Sequence, residues 1–234
     1  MNILNKLSIN NDMNLYIGID YSLNSTGISI IDGDLLNVIS VFKTDNDINK
    51  MLSRNDQFKL LSESLETNLI LIKKEKNNSV IYHVSERLKI KSFAYLTDII
   101  VSQISKYSNN PDVYIAMEGI SFGSSGNSLI DISMSTGILR SKILDILDGD
   151  SNRFFVFPPT TIKKFAGSGS FKKVDMLNSI ISNNSESYNF IKILENNINL
   201  IKTKSGVVKK PIEDIVDSVW VAKFLKYTIE NEKL

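Results

Sequence analysis

Two acidic residues in this sequence each close a run of apolar residues, and two more lie close together near its end. Asp20 follows the apolar run Leu15–Ile19, and Glu118 follows a similar run in the middle of the chain. Asp214 and Asp217 are three residues apart at the start of an amphipathic segment, so on a helix their carboxylates share one face. Four carboxylates placed in this way predict a binding site for divalent metal ions.

Each acid taken alone also has a structural explanation. The helix dipole by itself favours acids in a first helical turn, and Glu213 is best explained as part of such a helix start. A carboxylate beside a sheet core must be paired, hydrogen-bonded or metal-bound to offset its desolvation, so a purely structural role is a weaker explanation for Asp20 and Glu118. The four acids together favour a metal site, in which Asp217 is a stronger candidate ligand than Asp214.

The residue types limit which ion this site could bind. The sequence has no cysteine and one histidine, His83, which is distant from the acids and is best explained as a structural or surface residue. Oxygen-only ligands favour Mg²⁺, with Mn²⁺ able to substitute, over zinc. Two such ions in one active site activate water, hold a phosphate and neutralise a leaving oxygen. The pattern therefore predicts hydrolysis of a nucleic-acid backbone.

Lysines that could contact such a backbone lie in the segment Thr160–Lys173. It combines two lysine pairs with a small glycine- and serine-containing stretch and precedes a predicted helix. We predict that phosphates are contacted by Lys163, Lys164, Lys172 and Lys173. A solvated basic loop is the alternative, and the spacing of a Walker A loop is absent. A second group of lysines within 202–210 is interpreted as part of a solvated loop.

The composition limits the class of protein without identifying it. The chain has 234 residues, of which 42% are hydrophobic and 23% charged, and its formal net charge is +1. Nucleic-acid binding must therefore come from clustered lysines rather than from overall charge. The absence of cysteine fits an intracellular, cytoplasmic protein, and no apolar stretch approaches the roughly 18 residues that predict a membrane span. Residues 1–14 are polar and predict a flexible leader.

The order of the predicted elements indicates an α/β protein. Strands are predicted over 15–19, 27–31, 35–43, 113–118 and 154–157, with Asp32-Gly33 as a hairpin turn. Helices are predicted over 56–73, 85–107, 128–147, 172–182 and 211–228. The first of these helices rests on the helical spacing of Phe58, Leu61, Leu65, Leu69 and Ile72. We predict one domain over 15–230, with surface excursions near 43–84 and 184–210.

Small residues recur every four positions on the predicted helix over 128–147. Ser133, Gly137 and Ser141 form a stripe that would allow another backbone to approach closely. The stripe could pack against the protein's own sheet or against a second copy of the helix in a dimer. The sequence leaves both possibilities open.

Four segments resemble the motifs of RuvC-type Holliday-junction resolvases. They occur in the family's order and cover most of Leu15–Leu225, and the second is most similar to the bacteriophage branch of the family. The segments are Gly18–Gly27, Ala116–Gly123, Pro158–Gly169 together with Lys173, and Asp214–Ala222. Each motif is short, so the specificity of the resemblance comes from their joint occurrence.

The resemblance implies a fold and an activity. The fold would be RNase H-like, with a five-stranded mixed sheet of three antiparallel and two parallel strands flanked by helices. The protein would be a homodimer that nicks opposed strands of a four-way DNA junction symmetrically, with two Mg²⁺ ions in each active site. By motif position, the metal ligands would be Asp20, Glu118, Asp214 and Asp217. Lys173 would meet the scissile phosphate, and either Lys163 or Lys164 would match an earlier lysine.

Two features limit what the resemblance implies about the substrate. The excursions near 43–84 and 184–210 are longer than in compact bacterial enzymes, so selectivity for junctions over forks or flaps is not implied. Phe122 lies where the family often has an apolar residue beside the junction centre, so it is predicted either to stack on DNA or to fill the core. The motif variants favour a phage protein acting in the cytoplasm of an infected bacterium.

Two other functions are compatible with parts of this pattern. A branched-DNA-binding protein on the same fold would not cleave, but four intact acids disfavour it. An actin-like phosphotransferase or ATPase has a similar Gly18-Ile19-Asp20 segment, but it needs a second phosphate loop and an adenosine motif, both of which the sequence lacks.

Overall fold

A computed structural model describes residues 14–54, 56–64, 67–75, 79–120, 126–183, 185 and 188–231. Almost all of the predicted leader, Phe122 and most of the predicted loop over 123–126 lie outside these residues. The strands in the described part are β1 (Leu15–Asp20), β2 (Ser25–Asp32), β3 (Leu35–Thr44), β4 (Thr67–Lys73), β5 (Val113–Glu118) and β6 (Phe154–Phe157). All six belong to one mixed sheet, in the order β4-β3-β2-β1-β5-β6.

The first three strands form the predicted antiparallel meander. A two-residue turn joins β2 to β3, and its Gly33 has a φ of 55°, in the left-handed region that glycine adopts most easily. β5 pairs in parallel with β1, and β6 pairs in parallel with β5. The predicted α/β class and mixed sheet are confirmed.

Helices cover both faces of the sheet. Their bounds are α1 (Ile48–Arg54), α2 (Asp56–Glu63), α3 (Tyr82–Ile104), α4 (Asn127–Ile146), α5 (Pro159–Ala166), α6 (Lys173–Ser182), α7 (Asn189–Asn196), α8 (Ile198–Ile201) and α9 (Ile212–Asn231). Short 3₁₀ turns follow α3 and precede β6. No described helix is long and apolar enough to cross a membrane.

The alternation of side chains along β1 divides the core into two layers. Tyr16 packs in a cluster with α5, α6, α7 and α9 on one face of the sheet. Ile17 and Ile19 pack in a second cluster with α3 and α4 on the other face. Successive side chains of a strand point to opposite faces, so this short run supplies both layers. The end of β1 is therefore held between α9 on one face of the sheet and α4 on the other.

The helix predicted over 56–73 is wrong in its second half. α2 ends at Glu63, and Thr67–Lys73 forms β4, which pairs in parallel with β3. Leu69-Ile70-Leu71-Ile72 is a continuous apolar run, and the open edge of β3 offers it backbone hydrogen-bond partners. The sheet therefore has six strands, one more than predicted.

The segment predicted as a basic loop before α6 begins with a helix. Pro159–Ala166 forms α5, with Pro159 in its first turn, where the missing N–H costs nothing. Ile162 and Ala166 are buried one turn apart, and this spacing anchors the helix on the sheet. Lys163 and Lys164 therefore lie on a helix, and only the residues between α5 and α6 form the loop.

Candidate metal centre

The parallel pairing of β1 and β5 brings Asp20 next to Glu118. Gly18 lies beside Ala116 and Ile19 beside Met117, so the last residue of each strand reaches the same edge of the sheet. Both carboxylates are half-buried there. Two acids that are 98 positions apart in sequence become neighbours because parallel strands in register end together.

α9 brings the third carboxylate to this edge. It crosses β1 and β2 so closely that a Cβ on Gly18 would overlap the backbone of Ser218 and Ala222. A Cβ on Gly27 would likewise overlap the carbonyl group of Asp214. The two glycines thus set the depth at which α9 packs on the sheet, and sequence reasoning assigned them no such role.

Asp20, Glu118 and Asp217 form a compact group of candidate oxygen ligands. One carboxylate oxygen of each lies within 4.8 Å of the other two. The site opens into a cavity of about 210 Å³, lined in part by Tyr21, Ser22 and Lys173. Because a water molecule occupies about 30 Å³, the cavity has room for hydrated cations. The donor set and the space fit the predicted hard divalent ions.

The electrostatics of the three carboxylates also favour a cation. Burial raises the pKa of Asp20, and the charges of Asp217 and Glu118 raise it further. Burial and the charge of Asp217 raise the pKa of Glu118 to about 7, although Lys173 and Lys163 act in the opposite direction. Burial also raises the pKa of Asp217. A divalent ion would stabilise the ionised forms of all three.

Lys173 is the cation that balances this group within the protein. It is the first residue of α6, and its ammonium contacts the carboxylate of Asp217 and lies 3.3 Å from that of Glu213. Burial lowers the pKa of Lys173, but the charges of Asp217 and Asp20 outweigh burial, so the net shift is upward. The side chain stays protonated and can hold an anionic phosphate.

Asp214 has different partners from the other three acids. Its buried carboxylate accepts a hydrogen bond from the Ser25 hydroxyl and forms an ion pair with Lys210 at 3.1 Å. Among the described residues, the compact ligand group contains Asp20, Glu118 and Asp217 but not Asp214. Asp214 is still close enough for its charge to raise the pKa of Asp20. Metal ligation by Asp214 stays a prediction.

The basic residues predicted from the sequence are in different environments. The charge of Lys163 acts on Glu118, whereas Lys164 and Lys172 are exposed. Lys163 is therefore close enough to the candidate metal centre for its charge to act on Glu118. His83 is exposed in the first turn of α3 and does not line the cavity.

Three contacts around the site were not predicted. Lys210 is exposed in the loop before α9, as interpreted from the sequence, but its ammonium also pairs with Asp214; the four-residue spacing of these two residues was an available signal. The Tyr21 hydroxyl hydrogen-bonds to Ser135 and so ties α4 to the end of β1. Ser25 supports Asp214, and a serine at a strand start carries no sequence signal for that contact.

We expect the metal-free protein to lose stability as the pH rises from about 4.5 to about 7. Glu118 has a raised pKa of about 7 in the folded protein against 4.5 ordinarily. The folded state then binds more protons than the unfolded state in this window, so the free energy of unfolding falls by roughly 3 kcal/mol across it. Thermal denaturation with a chelator at several pH values measures the change, and Mg²⁺ should restore stability at the upper end.

Glu118→Gln provides the control for this pH dependence. Without the titrating carboxyl, the decrease between these pH values should be much smaller. Equal pH dependence in the two proteins would contradict the assignment of the shift to Glu118.

Comparison with known proteins identifies the fold. No family model and no curated protein matches the sequence. The chain is similar to Thermus thermophilus RuvC in complex with a Holliday-junction substrate, with a TM-score of 0.50, 8% identity, and coverage of 94% of this chain and 97% of that one. A second Thermus thermophilus RuvC structure gives a TM-score of 0.49 at 9% identity, covering 92% and 95% of the two chains.

The yeast mitochondrial Holliday junction resolvase Ydc2 is also similar, with a TM-score of 0.45, 16% identity, and coverage of 88% of this chain and 75% of that one. At these identities the likeness to the junction-bound RuvC shows the fold alone. This likeness agrees with the motif resemblance, while the closer similarity to the phage branch of the family stays a prediction. The protein has the RNase H-like fold of RuvC.

Proposed function

We propose that the protein is a metal-dependent endonuclease that resolves four-way DNA junctions, and that it also acts on other branched DNA. The observation that carries this proposal is the group of Asp20, Glu118 and Asp217 at one sheet edge, with the protonated Lys173 against it. The RuvC structure with the similar fold is a complex with a Holliday junction, and this supports the choice of substrate.

The residues at the site would have different roles in the proposed reaction. Asp20, Glu118 and Asp217 would hold two Mg²⁺ ions together with Asp214, and the bound ions would supply charge neutralisation and an activated water. Mn²⁺ has the same preference for oxygen and would substitute for Mg²⁺. Lys173 would bind the scissile phosphate, because its ammonium already lies among the carboxylates that the ions would neutralise.

Lysines around the cavity would hold the DNA. The charge of Lys163 acts on Glu118, so this lysine would contact a phosphate near the cut, while the exposed Lys164 and Lys172 would contact phosphates further away. Stacking of Phe122 on a base at the junction centre is part of the same proposal.

The proposed enzyme is a homodimer, because symmetrical nicking requires two active sites. Ser133, Gly137 and Ser141 are all exposed on α4, and a Cβ on Gly137 would meet no atom of the described residues within 4 Å. The stripe therefore does not pack against the protein's own sheet, which supports the dimer alternative. Ile130 and Met134 are exposed near it and would add apolar contact. Sedimentation analysis distinguishes dimer from monomer.

Mapping of nicks tests the proposed activity. The protein is incubated with Mg²⁺ and end-labelled four-way junction, fork, flap and linear duplex. Paired symmetrical nicks on the junction support a resolvase, and faster cutting of flaps or forks would indicate a broader debranching nuclease. Junction binding without nicks would favour the non-cleaving alternative, and nucleotide hydrolysis without DNA would favour the actin-like one. The setting we propose is the cytoplasm of a phage-infected bacterium.

Replacement of Lys173 should affect cleavage much more than binding. We expect Lys173→Gln to reduce the single-turnover cleavage rate by about 10² or more, because a charge beside the scissile phosphate is lost. Junction affinity should fall only a few-fold, as for the loss of one phosphate contact. Lys172→Gln is the matched control, since this neighbouring lysine is exposed and, among the described residues, forms no ion pair with the carboxylates of the site. Equal losses of binding and cleavage in Lys173→Gln would show that Lys173 only positions DNA.

A further inference from the structure

A second and larger concave surface lies beside the metal centre. This groove of about 780 Å³ lies between the ends of β3 and β4 and the helix α3. Four lysines line it, namely Lys43, Lys73, Lys74 and Lys91, together with Asn24 and Tyr95. We call it the basic groove. Neither the sequence motifs nor the proposed chemistry accounts for it.

The basic groove opens at the same edge of the sheet as the metal centre. β3 is parallel to β1, because each is antiparallel to β2, and β4 is parallel to β3. The carboxyl ends of β1, β3 and β4 therefore lie at one edge. With strands about 4.8 Å apart, the groove lies about 10 to 15 Å from Asp20. The β1–β2 turn joins the two sites, since Ser22 lines the metal-site cavity and Asn24 lines the groove.

The lysines of the basic groove have few acidic partners. In the part of the chain that the structure describes, no carboxylate forms an ion pair with Lys43, Lys73 or Lys91. Lys74 pairs with Asp45 at 3.7 Å on the surface, and among the described residues that line the groove Glu75 is the single acid. The protein as a whole carries a net charge of only +1, so this surface is a local concentration of positive charge.

The position of Lys43 shows that the charges are held close together. Its ammonium donates a hydrogen bond to Ser92 at 3.1 Å, which fixes it against α3. Burial lowers the pKa of Lys43, and the charge of Lys74 lowers it further, while Glu75 acts in the opposite direction. An anion in the groove would relieve this repulsion between lysines.

We propose that the basic groove binds the sugar–phosphate backbone of a DNA arm that leads away from the metal centre. This inference rests on the proposed function. A polyanion fits the four lysines that line the groove, and the half-exposed ring of Tyr95 offers a surface for a sugar. At 3.4 Å per nucleotide, the bound phosphates lie about three or four nucleotides from the cut. β4, the additional strand at the sheet edge, supplies one wall of this site.

Loss of Lys91 should weaken binding of a junction in a way that depends on salt. In an Asp20→Asn background, which prevents cleavage, we expect Lys91→Ala to lower junction affinity about fivefold at 0.15 M salt. The slope of log affinity against log salt should fall by about 0.9. A further Lys73→Ala substitution should lower the junction affinity and the salt slope again by similar amounts. Lys106→Ala is the control, since Lys106 lies about 22 Å further along the same helical segment.

Neutral phosphates locate the contact on the DNA. Single methylphosphonate linkages are placed along the junction strands, and affinity is measured for each. A neutral linkage about three or four nucleotides from the cleavage site should weaken junction binding by the protein that retains Lys91. The same linkage should have no effect on binding by the Lys91→Ala variant. Lys73 and Lys91 are exposed, so replacing them should leave the melting temperature of the protein unchanged. If Lys91→Ala does not fold, Lys91→Gln is used in its place.

The outcomes separate this inference from the function on which it rests. If the unmodified protein binds no branched DNA, both fail. If it binds and cleaves junctions but Lys91→Ala behaves as Lys106→Ala does, only the basic groove inference is overturned. Equal sensitivity of both proteins to every methylphosphonate would also overturn it, because the phosphates would then contact another surface.

Discussion

Asp20→Asn is expected to bind a four-way junction as tightly as the unmodified protein and to cleave it slower by about 10³ or more. The asparagine is nearly the same size but removes one of the three carboxylate charges that lie within 4.8 Å of one another. Binding should persist because the lysines around the cavity are unchanged. Single-turnover cleavage and equilibrium binding, measured on the same labelled junction, separate the two effects.

A second measurement on Asp20→Asn does not depend on activity. Mg²⁺ should raise the melting temperature of the unmodified protein, because an ion that binds only the folded state stabilises it. This increase should be much smaller in Asp20→Asn. In the absence of metal the variant should be the more stable of the two, because a buried carboxylate with a raised pKa has been removed.

Asp98→Asn is the matched control for these experiments. Asp98 is exposed on α3 and is not part of the ligand group, so both cleavage and the response to Mg²⁺ should be unchanged. Cleavage by Asp20→Asn at the unmodified rate would show that the metal assignment is wrong. A parallel loss of junction binding would instead show that the carboxylate helps to position DNA.

Gly18→Ala is expected to lower the free energy of unfolding by about 3 kcal/mol or more. The added methyl group would overlap backbone atoms of Ser218 and Ala222, and no side-chain rotation relieves an overlap with backbone. α9 must therefore move away from β1, and Asp217 moves with it. We expect the response of the melting temperature to Mg²⁺ to be lost together with cleavage.

Gly169→Ala tests whether this effect is specific to the helix contact. A Cβ at Gly169 would lie 3.7 Å from the nearest atom, the carbonyl oxygen of Thr160, which is an ordinary contact distance. Its free energy of unfolding should change by less than about 1 kcal/mol. If Gly18→Ala is as stable as Gly169→Ala and keeps its response to Mg²⁺, the close packing of α9 does not position the metal centre.

Local patterns in the sequence are sufficient to predict the acids and most of the elements. Asp20 and Glu118 stand out because each ends a buried strand, and the meander is predicted from alternation and the Asp32-Gly33 turn. Prediction fails where local patterns are ambiguous. Leu69–Ile72 satisfies both helical spacing and a continuous buried strand, and only the open edge of β3 makes the strand the better choice.

The sequence by itself determined the types of the candidate ligands, their order and the elements that carry them, because these depend on local periodicity and on side-chain chemistry. Only the tertiary structure decided which groups meet. It grouped Asp217 with Asp20 and Glu118, paired Asp214 with Ser25 and Lys210, and placed Lys163 where its charge acts on Glu118. These choices depend on strand register and on how closely α9 can approach the sheet, and both arise from packing between residues distant in sequence.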